Sequence, residues 1–328
     1  MSKASFYVGI DVGSQELVAA VENRKPRSFK HSRAGIKAMI KWAQKLAPET
    51  PLHFCLEATG VYGYSLACRL HQDHQVTVSV INPAQIASYA KAQLRRTKTD
   101  NVDARVIHSF AQSQNPRVWK PESSTIRQLY YLVVEADRIG KTMGQWNNRK
   151  HGHKYLNDLP QIIKQTNKAL QRAMTRQLEK IEQAILELCQ QNKELKQDVQ
   201  LLCSIPGVAN HSAVRILAYG KNTLRDFSRN ALTAHAGLAP GQKQSGTSIH
   251  GKSRIAKQGD SRLRKTLYMP ALVAAYHNPT LKLFYQRLLE NGKPKMVAIV
   301  AVMKKLLLMI QAILKKKIPY GPNFALDS

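Results

Sequence analysis

Four carboxylates stand where apolar runs end or a helix begins. Asp11 follows Val8-Gly-Ile10, and Glu57 closes the run Leu52–Glu57. Asp100 and Asp103 lie three residues apart in Thr99-Asp-Asn-Val-Asp-Ala104, a spacing that puts both on one helical face. Four carboxylates in one cleft repel one another unless divalent cations neutralise them, and hard oxygen ligands select Mg²⁺ or Mn²⁺. Two such ions about 3.5–4 Å apart can clamp a phosphodiester for in-line displacement. Singly, each acid has a plainer role. Asp11 suits a strand-end turn, Asp100 competes with Thr99 for a helix cap, and Asp103 suits the first turn of a helix. In a chain with only 21 Asp+Glu, the four together point to a metal cleft.

A second concentration of reactive groups lies at Ala236–Gly259, rich in Gly, Ser and Lys between two helical stretches. That composition predicts a loop or short hairpin. Ser245, Thr247 and Ser248 offer hydroxyls beside Lys243, His250, Lys252, Arg254 and Lys257. A serine among cations can attack a phosphate while the cations stabilise the developing charge. The plainer reading is a phosphate-contacting loop without covalent chemistry. Lys243, Lys252, Arg254, Lys257, Arg262 and Arg264 are the candidate nucleic-acid contacts under either reading.

The elements that must position these groups follow from hydrophobic period. Strands are predicted at Phe6–Val12, Leu17–Glu22, Ser28–Ser32, Leu52–Glu57 and Val76–Ile81, with helices at Gly35–Leu46, Tyr64–Gln72, Ala84–Ala92 and Val102–Gln112. The order βββαβαβα is that of an RNase H-like α/β domain, placed at residues 1–124. In such a sheet the first and fourth strands are neighbours, so Asp11 and Glu57 converge. From Met174 to Leu202 apolar residues recur every three or four positions, with Asn192 as the one polar member. This predicts a helical arm at 125–198, either a coiled coil between subunits with Asn192 fixing its register, or an intramolecular hairpin with helix Ile126–Trp146. Residues 199–328 are expected to form a mainly helical basic domain. It opens at Leu201–Leu217 on a helix-hairpin-helix-like turn around Ile205-Pro-Gly-Val208, or on a plain helix–helix turn.

Charge narrows the partners. The 328 residues carry 50 Lys+Arg against 21 Asp+Glu, a net charge of +29. Residues 201–328 alone hold 20 Lys+Arg and four acids. Such a balance points to a polyanion, nucleic acid or an anionic membrane surface. Met296–Leu314 is apolar but has Lys304 and Lys305 at its centre, so it is expected to be a buried amphipathic helix and no membrane partner is predicted. Cys55, Cys68, Cys189 and Cys203 lack metal or disulfide spacing and read as small buried residues in a reducing cytoplasm. His151-Gly-His153 reads as an exposed turn rather than a metal pair. Gly9-Ile-Asp-Val-Gly-Ser14 also fits the first phosphate loop of actin-like ATPases, but no second Asp-x-Gly loop accompanies it.

At this point the motifs match a family. Tyr7-Val-Gly-Ile-Asp11, Leu56-Glu-Ala-Thr-Gly60, Val80-Ile-Asn-Pro83, Lys98-Thr-Asp-Asn-Val-Asp-Ala-Arg105, Ser204-Ile-Pro-Gly207, His235-Ala-Gly-Leu-Ala-Pro240, Ser245-Gly-x-Ser248 and Leu267-Tyr-Met-Pro270 follow one another in the chain. In that order they resemble the DEDD insertion-sequence transposases related to the Piv DNA invertase and to bridge-RNA-guided recombinases. The resemblance implies a RuvC-like domain whose metal-binding tetrad is Asp11, Glu57, Asp100 and Asp103, a coiled-coil arm, and a C-terminal transposase domain with Ser245 as nucleophile. It implies Mg²⁺ (or Mn²⁺), donor and target DNA, a structured bridge RNA, and a dimer or tetramer whose subunits share a composite site in a bacterial cytoplasm. A RuvC-like Holliday-junction nuclease using water, or a non-catalytic nucleic-acid-binding protein, are the alternatives.

Overall fold

A computed structural model describes residues 5–58, 60–74, 76–94, 99–153, 155–241, 244–245, 249–250, 254–255 and 258–321. The chain divides into two compact units, Met1–Pro121 and Glu122–Ser328. In the first, β1 (Phe6–Val12), β2 (Glu16–Ala20) and β3 (Arg27–Lys30) form an antiparallel meander, and α1 (Arg33–Leu46) follows. Next come β4 (Leu52–Glu57), α2 (Gly60–His74), β5 (Thr77–Ile81), α3 (Pro83–Ala92) and α4 (Asp100–Gln114). The sheet order is β3-β2-β1-β4-β5, with β1, β4 and β5 parallel. Every predicted strand and helix is present, with ends shifted by a few residues.

Helices cover both faces of this sheet, which is why β4 is buried almost throughout. Ile36, Met39, Ile40 and Ala43 of α1 meet Val8, Ile10 and Phe54 on one face. Val106, Ile107 and Phe110 of α4 meet Cys55 and Ile81 on the other. The backbone of α4 lies directly on β1. A Cβ at Gly9 would stand 2.5 Å from the Ala104 carbonyl oxygen, closer than real side chains come.

The second unit opens with α5 (Ser124–His153), α6 (Gln161–Gln191), α7 (Lys193–Cys203) and α8 (Asn210–Gly220). The short helices α9 (Thr223–Asp226) and α10 (Arg229–His235) follow. Four two-residue strands, β6 (Pro240–Gly241), β7 (Gln244–Ser245), β8 (Ile249–His250) and β9 (Arg254–Ile255), precede α11 (Ser261–His277), α12 (Pro279–Glu290) and α13 (Lys295–Lys316). Thus the fold is a mixed α/β sheet unit followed by a mainly helical one.

From Leu178 onward the seam packs within its own chain. Ile185 and Cys189 of α6 share a core with Leu129, Val133 and Ala136 of α5, with Leu178, Ile181 and Leu188 packed against it. Asn192 does not continue that seam, contrary to the sequence expectation. The helix breaks there, at φ −105° and ψ 111°, and Asn192 Oδ1 accepts from the Leu195 N–H at 2.9 Å to cap α7. Its Nδ2 donates to Thr125 Oγ1 at 3.1 Å. The short amide side chain competes with the helical ladder and wins at this position. Further along, Asp137 of α5 accepts from Arg215 Nε at 2.9 Å and Tyr219 Oη at 2.6 Å, tying α5 to α8.

The α7–α8 turn is fixed by Gly207, at φ +106° and with the Ala274 backbone nitrogen 2.7 Å from where a Cβ would sit. The apolar helix α13 is long and apolar enough to cross a membrane by length and composition, yet 61% of its apolar window is buried in the unit. Lys305 places its ammonium over the Phe284 ring at 4.4 Å, as an amphipathic core helix allows. Cys55 and Cys189 are buried as expected, but Cys203 is exposed because it ends α7 at the surface. His151 and His153 lie in the last turn of α5 rather than in a turn between elements.

Two substitutions test this architecture. Asn192→Ala should lower unfolding stability by about 1 kcal/mol through loss of the α7 cap, read by urea denaturation. A helix continuous through residue 192 would gain stability instead. Gly9→Ala should cost about 1–3 kcal/mol, because the α4 backbone must move away from β1. An unchanged urea midpoint would show that α4 does not press on Gly9.

Candidate active site

Register brings the first two acids to one end of the sheet. Parallel pairing of β1 with β4 runs to Ile10 opposite Leu56, so Asp11 and Glu57 are the next residue on each strand. Asp11 also pairs with Val18 of β2, and Glu57 with Ile81 of β5. Thr99 starts α4, its Oγ1 accepting from the Val102 N–H at 3.3 Å. Capping is therefore done by Thr99, and Asp100 and Asp103 occupy the first turn with carboxylates not needed for that purpose.

The four acids share one electrostatic neighbourhood. Burial, then the charges of Asp100 and Asp103, push Asp11 from 3.8 up to about 6. The Val12 N–H opposes that shift, and Glu57 adds to it. Among the described residues, no three His, Cys, Asp or Glu side chains are close enough to form a ready ligand shell. The donor set nevertheless fits a hard divalent cation, because it offers carboxylate oxygens alone.

Two residues at this end escaped the sequence reading. His31 places Nδ1 2.8 Å from the Gly13 carbonyl oxygen, two residues beyond Asp11. Its ring meets Tyr62 edge-on at 6.3 Å, and Tyr62 is exposed in the first turn of α2, just after Glu57. An aromatic following the strand-end acid, as in Gly60-Val-Tyr62, was the available signal.

Ser245 lies in a nested hairpin. It pairs with Ile249, while Gly241 pairs with Arg254 and Pro240 with Ile255. Lys243, Thr247, Ser248, Lys252 and Lys257 lie outside the described residues, as do the side chains of Ser245, His250 and Arg254. The nearest acid in sequence, Asp260, caps α11, its Oδ1 accepting from the Arg262 and Leu263 N–H groups at 2.8 and 2.9 Å. Its own N–H donates to the His235 carbonyl at 2.6 Å, which fixes the base of the hairpin. Burial lowers the pKa of His235. Arg262 is exposed and donates to Tyr130 Oη at 3.1 Å, while the half-buried Arg264 donates to the Ala236 carbonyl at 3.1 Å. Arg264 therefore braces the hairpin entrance as well as carrying charge.

The raised Asp11 generates a stability test. Its contribution to the metal-free fold is fully present below pH 3.8 and is lost as pH rises through about 6. Asp11→Asn should raise the Tm of metal-free protein at neutral pH by about 2–4 °C, the full shift being discounted for partial exposure. It should also flatten the decline of Tm between about pH 4 and 6. A lower Tm at neutral pH would make Asp11 a structural residue.

Comparison with known proteins accounts for both units. Residues 8–154 match the DEDD-type IS110 transposase family, and residues 199–286 match the Transposase IS116/IS110/IS902 family. The chain is 30% identical over 325 residues to the pilin gene-inverting protein of Moraxella bovis, covering 98% of both. The Moraxella lacunata pilin gene-inverting protein is 29% identical with the same coverage. An IS110 uncharacterized 43.6 kDa protein of Streptomyces coelicolor is 29% identical over 116 residues, 35% of this chain and 28% of that one. This chain belongs to the IS110 family of DNA transposases and recombinases.

Proposed function

We propose that the protein cuts and rejoins DNA through Ser245, with Asp11, Glu57, Asp100 and Asp103 of an RNase H-like, RuvC-like unit holding Mg²⁺ or Mn²⁺. The observation that carries this reading is the register that ends β1 and β4 together at Asp11 and Glu57, with Asp100 and Asp103 in the first turn of the packed helix α4, whose charges act on Asp11. Full-length similarity to pilin gene-inverting proteins supports the assignment of recombination to the whole chain.

Asp11, Glu57, Asp100 and Asp103 would hold the cations, which when bound would supply charge neutralisation at the scissile phosphate. An unactivated serine hydroxyl is a poor nucleophile and needs a base. Asp260, the nearest acid in sequence, caps α11, and the base in this reading is a carboxylate of the acidic cleft. As Ser245 Oγ bonds to phosphorus, its proton passes to a cleft carboxylate. The bond from phosphorus to the 3′ oxygen breaks, and that oxygen takes the proton back from the carboxylate and leaves as a hydroxyl. The product is a 5′-phosphoserine, which the reverse reaction with a new 3′ hydroxyl resolves. The serine of one protomer serves the cleft of another, in a dimer or tetramer. A structured bridge RNA pairs with donor and target DNA, leaving the protein to hold backbone in the cytoplasm.

Ser245→Ala should eliminate the covalent protein–DNA adduct on a suicide substrate while leaving DNA affinity within about twofold. Asp11→Ala should lose the adduct as well, and mixing the two variants should restore part of it. Mass spectrometry of the trapped peptide locates the adduct. Attachment at Thr247 or Ser248, or cleavage by Ser245→Ala protein, would overturn the serine assignment.

A further inference from the structure

The distal half of the α5–α6 hairpin has no core of its own. Among the described residues, no side chain from Asp137 to Ala184 is buried. With 31 residues, α6 is about 46 Å long, so a large part of it stands clear of the packed base. A bare helical projection of this kind needs a partner to justify its length, and its charges say which kind.

Residues 138–176 contain nine Lys+Arg and one acid, Asp158. Four of those cations, Lys164, Lys168, Arg172 and Arg176, recur every fourth residue along α6, with a rise of about 6 Å between neighbours. All four are exposed, and none forms an ion pair among the described residues. A merely solvated helix face alternates its charges, because like charges at this spacing destabilise the helix. Here the repulsion is left standing over three turns. The four also line a cleft of about 900 Å³ between the helices, together with Lys150 of α5 and over Leu156 and Leu159. Among the described residues that line it, Glu179 is the one acid. Aromatic rings accompany the charges: Arg149 lies over Trp146 at 5.0 Å, and Tyr155 is 75% exposed beside His151.

We infer that this stripe and cleft form a second nucleic-acid site, which grips the phosphate backbone of the double-stranded DNA the enzyme recombines. The inference rests on the DNA-recombination reading, since DNA is the polyanion a recombinase must hold. It adds a contact far along the chain from the serine hairpin. The stripe reads no bases. Its spacing engages successive phosphates along one strand, and it holds the duplex flank while cleavage proceeds elsewhere.

The test uses full-length protein and needs no catalysis, so a failure of the serine chemistry leaves it intact. A K164Q/K168Q/R172Q/R176Q variant keeps helix-forming side chains and should melt at or above the wild-type temperature. Its binding to a labelled duplex of about 40 base pairs is followed by anisotropy across a NaCl titration. The slope of log affinity against log salt should shrink by about 2–4, at about 0.9 for each phosphate no longer neutralised, and affinity should fall at least tenfold. A charge-matched variant with scattered changes, R24Q/K45Q/K120Q/K196Q, should keep most of the slope, and K164R/K168R should keep all of it. Equal losses in both quadruple variants would reduce the effect to net charge and overturn the site. So would an unchanged DNA slope, whether accompanied by weaker binding to an RNA hairpin or by a changed mass in light scattering.

Discussion

The proposed carboxylate site depends on one close approach, that of the α4 backbone to β1 at Gly9. Any larger residue would hold α4 off, since a single added carbon would come within 2.5 Å of the Ala104 carbonyl. With the approach made, the start of α4 reaches the end of β1, and two acids on a helix join two on neighbouring strands. Parallel register does the rest by ending β1 and β4 together at Asp11 and Glu57. Thr99 then caps α4, so Asp100 and Asp103 need not serve as caps. Packing, register and capping each remove one structural use for an acid, and the cost appears as the raised pKa of Asp11.

The helical unit solves a different problem, holding a highly basic sequence in one fold. Asp137 joins α5 to α8 through Arg215 and Tyr219, and Asp198 pairs with Arg225 at 2.5 Å. Asp198 is nearly fully buried, and its desolvation outweighs the arginine, leaving its pKa raised rather than lowered. Such a pair specifies which helices meet more than it adds net stability. Gly207 allows the α7–α8 turn to lie against Ala274, and Asp260 fixes where the serine hairpin returns to α11. Asp137, Asp198 and Asp260 are thus three acids of this unit placed at joints.

Much of this was legible in the residues themselves. The strand order followed from apolar runs of the right length, and Asp11, Glu57, Asp100 and Asp103 stood out by position at element ends. What escaped was decided by local competition or by distance in the chain. Asn192 fits a heptad seam by spacing alone, but its amide finds the Leu195 N–H and Thr125, and the helix divides there. Gly9 gave no hint of α4, because the contact spans almost a hundred residues. Cys203 looked like a core residue and ends a helix at the surface. Ser245 is a separate case: composition alone favoured a phosphate-contacting loop, and the nucleophile reading came from resemblance.

The proposed carboxylate and arm sites have one energetic logic with opposite sign. A fold that holds like charges together gives up stability in the free protein, whether four carboxylates at a sheet end or four cations along a helix. Any ligand that binds only the folded form restores stability in proportion to RT ln(1 + [L]/Kd), so the deficit becomes binding free energy. The acidic cleft would recover it from divalent cations, and the basic stripe from phosphates with release of condensed counterions. The two differ in rigidity. Two of the acids end strands of a five-stranded sheet and two start the helix packed on it, a frame that would preorganise them for ions that tolerate little misplacement. The cations sit exposed on a projecting helix, which would suit a backbone that needs only charge at intervals. The proposed chemistry thus belongs to acids held by the packed sheet unit, and the proposed grip to cations along an exposed helix.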